Sequence, residues 1–124
     1  MREILFRGKR TKTGEWVTGN LWHHTEKASL IWSNELDTKA WVLPETVGQF
    51  TGLTDKNGKK IFEGDIVESF DIFNHWDGYG IVNWNETFNS WCMGERLMYC
   101  DRIATYEVIG NIYDNPELLG GGGR

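Results

Sequence analysis

The chain has 124 residues, of which 40% are hydrophobic and 14% aromatic, and it carries a formal net charge of −5. This length suits one domain, and seven Trp and six Phe supply enough bulky core material to exclude a disordered chain. No apolar run approaches the roughly 20 residues that span a membrane.

The opening Arg2-Glu3-Ile4-Leu5-Phe6-Arg7 has neither an apolar leader region nor a small-residue cleavage site. This predicts a protein that stays in the cytoplasm of its host cell. Cys92 and Cys100 form no CxxC pair and are expected to be free thiols. Charge is uneven. Residues 1–62 hold ten Lys/Arg and seven Asp/Glu, a balance of +3, whereas residues 63–124 hold three and eleven, a balance of −8. The acidic half reads as a solvated surface or as a face aimed at a basic partner protein, and it repels phosphate backbones.

In chain order, Ile4-Leu5-Phe6 opens as a short β run, and Arg7 to Gly14 is polar and turn-rich. Trp16-Val17-Thr18 and Leu21-Trp22 form a second run interrupted by Gly19-Asn20. Ala28 to Trp32 and Ala40 to Leu43 are the third and fourth runs, and Pro44 ends the latter by removing a ladder donor. Arg7, Lys9, Arg10 and Lys12 make a basic cluster, read as phosphate contacts or as a solvated hairpin tip. His23 and His24 are adjacent on a strand and point to opposite faces, and His75 is remote, so no metal site and no cofactor are expected.

The stretch Thr51 to Val67 reads as strand, turn, strand, turn, strand. Asp55 to Gly58 is the first turn, because Asn57 and Gly58 both tolerate the positive φ of a primed hairpin turn. Gly64 permits the second turn, and the Asp65 carboxylate is placed to accept a nearby backbone N–H. Asp55, Glu63 and Asp65 lack the pocket and partner that acid–base chemistry needs, so turn roles are preferred.

Ile72, Phe73 and Trp76 have the spacing of a short helical turn, and with Tyr79 they are candidates either for core packing or for anchoring a partner protein. Asp77 to Gly80 marks a turn, Gly80 to Trp84 a strand and Ser90 to Met93 another. Leu97, Cys100 and Ile103 recur every third residue, as in a short helix, although Leu97 to Cys100 also reads as a strand. Thr105 to Tyr113 is the closing strand, with Gly110 at a bulge, and Glu117-Leu118-Leu119 is a final turn before the Gly-rich tail.

Three segments join the Thr51–Val67 stretch in resembling one family. They are Met1 to Arg10 with Gly14-Glu15-Trp16-Val17 and Gly19-Asn20-Leu21, then Glu45 to Phe50, then Glu107 to Leu119. In that order they resemble the YopX-like proteins of phages and prophages of Gram-positive bacteria. The resemblance implies a phage or prophage origin and assigns no catalytic residue.

The expected fold is a mainly β, single small domain over residues 1–119, an SH3-like barrel or a sandwich with one or two short helices, and a flexible tail over 120–124. The leading functional reading is a non-enzymatic module that binds a phage or host protein through Phe73, Trp76 and Tyr79, with self-association through exposed strand edges as a further option. The alternative is a nucleic-acid-binding barrel in which Arg7, Lys9, Arg10, Lys56, Lys59 and Lys60 meet at two hairpin tips.

Overall fold

A computed structural model describes residues 3–98 and 104–120. The chain is mostly β, in two antiparallel sheets, and neither sheet closes into a barrel. Its contacts divide it into two compact units, residues 1–52 and 53–124.

The first unit is built from β1 (Phe6–Lys9), β2 (Trp16–His24), β3 (Ser29–Ser33), β4 (Thr38–Val42) and most of β5 (Gly48–Thr54). A 3-10 turn at Pro44–Thr46 precedes β5. The strand order is β4-β3-β2-β1-β5. Alternation sets the faces: Val17, Ile31, Ala40 and Val42 form a buried cluster with Phe6, Leu21 and Val47 packed on it. At the far end of β1, Arg10 bridges Val42 of β4. The Thr11 N–H donates to Trp41 O at 3.1 Å and the Leu43 N–H to Lys9 O at 2.8 Å beside it.

Two sequence expectations are corrected here. The first strand runs through Arg7-Gly8-Lys9, because Gly8 lets the Val42 side chain approach to 2.9 Å of where a Cβ would stand. The second strand passes unbroken through Gly19-Asn20, because a Cβ on Gly19 would collide with the Trp32 carbonyl of β3. In both places glycine marks close packing inside a strand.

β5 continues into the second unit, where β6 (Lys60–Phe62) lies beside it. The second sheet contains β7 (Asp65–Phe70), β8 (Trp76–Asn85), β9 (Ser90–Met93), β10 (Arg96–Leu97) and β11 (Thr105–Asn111), in the order β10-β9-β8-β7-β11. Ile61 of β6 joins Val67, Val82, Trp91, Met93, Met98 and Tyr106 in the buried cluster of the second unit. A short helix, α1 (Glu117–Gly120), follows. Leu97 lies in β10, paired with Cys92, and not in a helix. Cys100, Ile103 and the last four tail residues fall outside the described residues. No described helix is long and apolar enough to cross a membrane.

The β5–β6 turn differs from the primed turn expected. Gly58 has φ +84° and Asn57 is not among the positive-φ residues. Instead the Gly58 N–H donates to Asp55 O at 2.9 Å, and Asp55 N–H to Lys59 O at 2.7 Å. Asp55 Oδ1 accepts the N–H groups of Asn57 and Lys59, each at 2.9 Å, and the turn has three residues, Lys56 to Gly58, with Gly58 its left-handed one.

At the next turn Gly64 has φ +91°, its N–H donates to Val82 O at 2.9 Å, and its O accepts from Ile112 at 3.0 Å. Buried Asp65 accepts the Phe62 N–H on Oδ2 at 2.8 Å. A Cβ on Gly64 would stand 3.0 Å from the Tyr113 ring. Gly64→Ala is therefore expected to lower unfolding free energy by about 2 kcal/mol, through left-handed strain and displacement of that ring. Urea denaturation checks this, and a loss below about 0.5 kcal/mol would show that the turn relaxes freely. In β11 the register shifts between Val108 and Gly110, where a Cβ would meet the Asn115 side-chain oxygen at 2.6 Å.

Candidate functional site

The β7–β8 connection is a five-residue loop, Asp71 to His75, built like the one at Asp55. The Asn74 N–H donates to Asp71 O and the Asp71 N–H to His75 O, both at 2.9 Å. Asp71 Oδ1 accepts the N–H groups of Phe73 and His75, each at 2.9 Å, and Asn74 takes φ +63°. Hydrogen bonding from the His75 N–H, with that from Phe73 and the charge of His75 adding to it, holds the Asp71 carboxyl below its ordinary pKa. The carboxylate thus captures the backbone that a helical turn over Ile72 to Trp76 would have used.

Pinned this way, the loop turns its apolar side chains outward. Ile72 is 66% exposed, Phe73 73% and Trp76 50%. The Phe73 and His75 rings lie 6.1 Å apart, and His75 Nδ1 stands 3.5 Å from Asp71 Oδ2. Phe73 and Trp76 are therefore not core residues.

β8 begins at Trp76, so the turn expected at Asp77 to Gly80 is strand. A bulge there has a consequence for the candidate residues. Trp76 and Tyr79 are three apart and would face opposite ways on a regular strand. The register shift pairs Trp76 with Phe70 and Tyr79 with Glu68, two β7 residues on one face. Trp76, Phe70, Glu68 and half-buried Tyr79 consequently share a face. Glu107 of β11 lies opposite Glu68 on the same face, and Lys56 Nζ stands 3.4 Å from Glu107 and 4.0 Å from the Phe70 ring centroid. Arg96 clasps the start of β8, donating to Asp77 Oδ2 at 2.7 Å and Asp77 O at 2.6 Å. Phe70, Glu68 and Glu107 were missed from sequence. The period-2 pattern of Glu68 and Phe70 was visible, but the bulge that aligns them with Trp76 and Tyr79 was not.

The six candidate cations divide between the two units. Arg7 and Lys9 are strand residues, with the Arg7 guanidinium 4.6 Å and the Lys9 ammonium 5.8 Å from the Trp16 ring centroid. Arg7 is buried and Arg10 half-buried. These three belong to the first unit; Lys56, Lys59 and Lys60 belong to the second. Lys56 is engaged by Glu107 and Phe70, whereas Lys59 and Lys60 are exposed around the Asp55 loop.

Other features carry less chemistry. A cleft of about 270 Å³ is lined by Leu53, Thr54, Asp55, Lys56, Ala104, Thr105 and Tyr106. A groove of about 490 Å³ is lined by His24, Thr25, Glu26, Pro44 and Glu45, and His24 Nδ1 is 2.6 Å from Ser29 Oγ. Cys92 is a free, buried thiol whose pKa is raised by burial. Among the described residues no group of three or more His, Cys, Asp or Glu is placed to hold a metal ion.

The family model for YopX protein matches residues 5–120, nearly the whole chain. The chain belongs to the YopX family. Its fold is similar to the crystal structure of protein EF1440 from Enterococcus faecalis, with a TM-score of 0.56, 25% identity, and coverage of 96% of this chain and 99% of that one. No curated protein matches. In YopX terms, the match takes in the Asp55 and Asp71 loops, the Gly64-Asp65 turn and the closing β11 strand.

Proposed function

We propose that this YopX-family chain is a phage- or prophage-encoded accessory protein that works in the host cytoplasm as a non-enzymatic protein-binding module. The observation that supports this reading is the β7–β8 tip. Ile72 and Phe73 are exposed on a loop whose backbone is fixed by one carboxylate, and Trp76 is exposed at the start of β8 beside it. Exposed aromatics on a rigid support lose little conformational freedom on binding, which is what interface anchors require. Asp71 and Asp77 flank the tip in sequence, and Glu68 pairs with Tyr79 and with Glu107 across the sheet, Asp77 being held by Arg96 and Glu107 by Lys56. The partner that fits is a protein with an apolar pocket that receives these side chains. Burial of the Cys92 thiol, which raises its pKa, supports a packing role for that side chain.

The test is an affinity pull-down from phage-infected host lysate after nuclease treatment, with crosslinking to map contacts. Phe73→Ala is expected to leave stability within about 0.5 kcal/mol of the parent, because the ring is exposed. The same change is expected to weaken capture of the partner about 30-fold or more, as loss of an interface anchor does. A partner retained equally by Phe73→Ala and Trp76→Ala, or crosslinks confined to residues 1–52, would overturn the proposal.

A further inference from the structure

A second face, in the first unit, has a different chemistry. The outward positions of β2, β3 and β4 bring together Trp22, Trp32 and Trp41. Trp22 and Trp32 are stacked, with centroids 6.0 Å apart and planes at 26°. Trp22 is 57% and Trp41 53% exposed. Trp32 pairs with Lys39 across β3–β4, and Lys39 Nζ lies 4.4 Å from the Trp22 ring centroid. Next along the sheet, Trp16 carries Arg7 and Lys9 over its ring. Four of the chain's seven Trp therefore lie in two adjacent strands and their neighbour, interleaved with cations.

The local charge contrasts with that of the chain. β1 to β4 contain Arg7, Lys9 and Lys39 and no Asp or Glu at all, although the chain as a whole carries −5. In the β3–β4 turn, the Glu35 carboxylate accepts the Thr18 hydroxyl at 2.8 Å and the Ser33 hydroxyl at 3.0 Å. A sheet face with exposed indoles beside the exposed Lys39, and no carboxylate within its strands, complements a ligand that has planar rings on an anionic backbone.

We infer that this Trp22–Trp32–Trp41 face binds single-stranded nucleic acid, with bases stacked on the indoles and Lys39 facing the phosphate backbone. The face is distinct from the β7–β8 tip, and the inference stands independently of the protein-contact reading. It also differs from an arrangement of the hairpin-tip cations, because aromatic stacking supplies the main attraction and Lys39 the electrostatic one. Duplexes, whose bases are covered by pairing and stacking, present no rings to the indoles.

The test is a titration of the purified chain, at low salt, with labelled single-stranded DNA and RNA of about 12 nucleotides and with the matching duplexes. Expected results are quenching of Trp fluorescence by both single strands, weaker duplex binding, and a loss of about tenfold in affinity for Trp22→Ala and for Trp41→Ala. Lys39→Ala should lower the slope of log affinity against log salt by about 0.7. Both Trp positions are exposed, so circular dichroism should report a folded chain for each variant. Preference for one single strand over the other identifies the physiological source. Failure of both single strands to bind at low salt, duplex binding of equal strength, or affinity unchanged in Trp22→Ala and Trp41→Ala would overturn the inference. So would concentration-dependent self-association that Trp41→Ala abolishes, with no oligonucleotide binding, since the face would then belong to a second copy.

Discussion

Asp55→Ala is expected to lower unfolding free energy by about 3 kcal/mol at neutral pH, because it removes an ionised acceptor from three backbone donors at once. Asp55 Oδ1 takes the Asn57 and Lys59 N–H groups, and Oδ2 takes the Val108 N–H at 3.1 Å. One side chain therefore shapes the β5–β6 turn and ties it to β11, where the Lys56 N–H also donates to Tyr106 O at 2.8 Å. Burial of Asp55 favours its neutral form, but the N–H groups of Val108, Lys59 and Asn57 outweigh burial and hold its pKa below the ordinary value. A carboxyl depressed in the folded state contributes stability that is fully present above its unfolded pKa and lost as pH falls through the folded one. Asp55→Ala should therefore cost most near pH 7 and progressively less in acid, on the order of pH 3 and below. Asp55→Asn, which keeps one oxygen, should cost less and flatten the acid limb of the stability profile. Urea unfolding across this pH range measures it. An equal loss at both ends would remove the electrostatic part of the account.

Ile61→Ala is expected to cost about 3 kcal/mol, and Ile61→Val about 1 kcal/mol. Ile61 is fully buried in the cluster with Val67, Val82 and Tyr106, so truncation leaves a void lined by β-branched and aromatic neighbours that are held by their own ladders. The ratio of the two costs is the informative quantity. A graded loss means that the second unit's core is tightly packed around this residue. Equal, small losses would mean that the cavity collapses.

Much of this architecture could be read from local chemistry. Pro44 ends β4, Ser90 to Met93 is a strand, Gly110 lies at a register shift, and Glu117 to Leu119 begins the last helical turn. These positions are set by neighbours in sequence or by a missing donor, and local rules capture them. What escaped was set by distant chain. Gly8 and Gly19 read as turn residues, yet they lie within strands because Val42 and Trp32 press against them. Nothing in the sequence around Asp71 pointed to its two N–H partners, and only they reveal that Ile72 and Phe73 are pushed outward. The candidate contact residues Phe73, Trp76 and Tyr79 were visible as aromatics. Their alignment with Phe70 depends on a bulge that no period-2 pattern specifies. The Trp22–Trp32–Trp41 face was hidden for a similar reason: the three residues sit on three strands, and only the β2–β3–β4 register makes them neighbours.

The Asp71 loop also separates what must stay from what can vary. Its path is set by a carboxylate, a left-handed Asn74 and main-chain donors, while the side chains at 72 and 73 stand in solvent. Those two positions form an exchangeable nib on a fixed holder. They can be rewritten one substitution at a time without re-solving the fold, because surface replacements away from caps and cores shift stability by only about 0.5 kcal/mol.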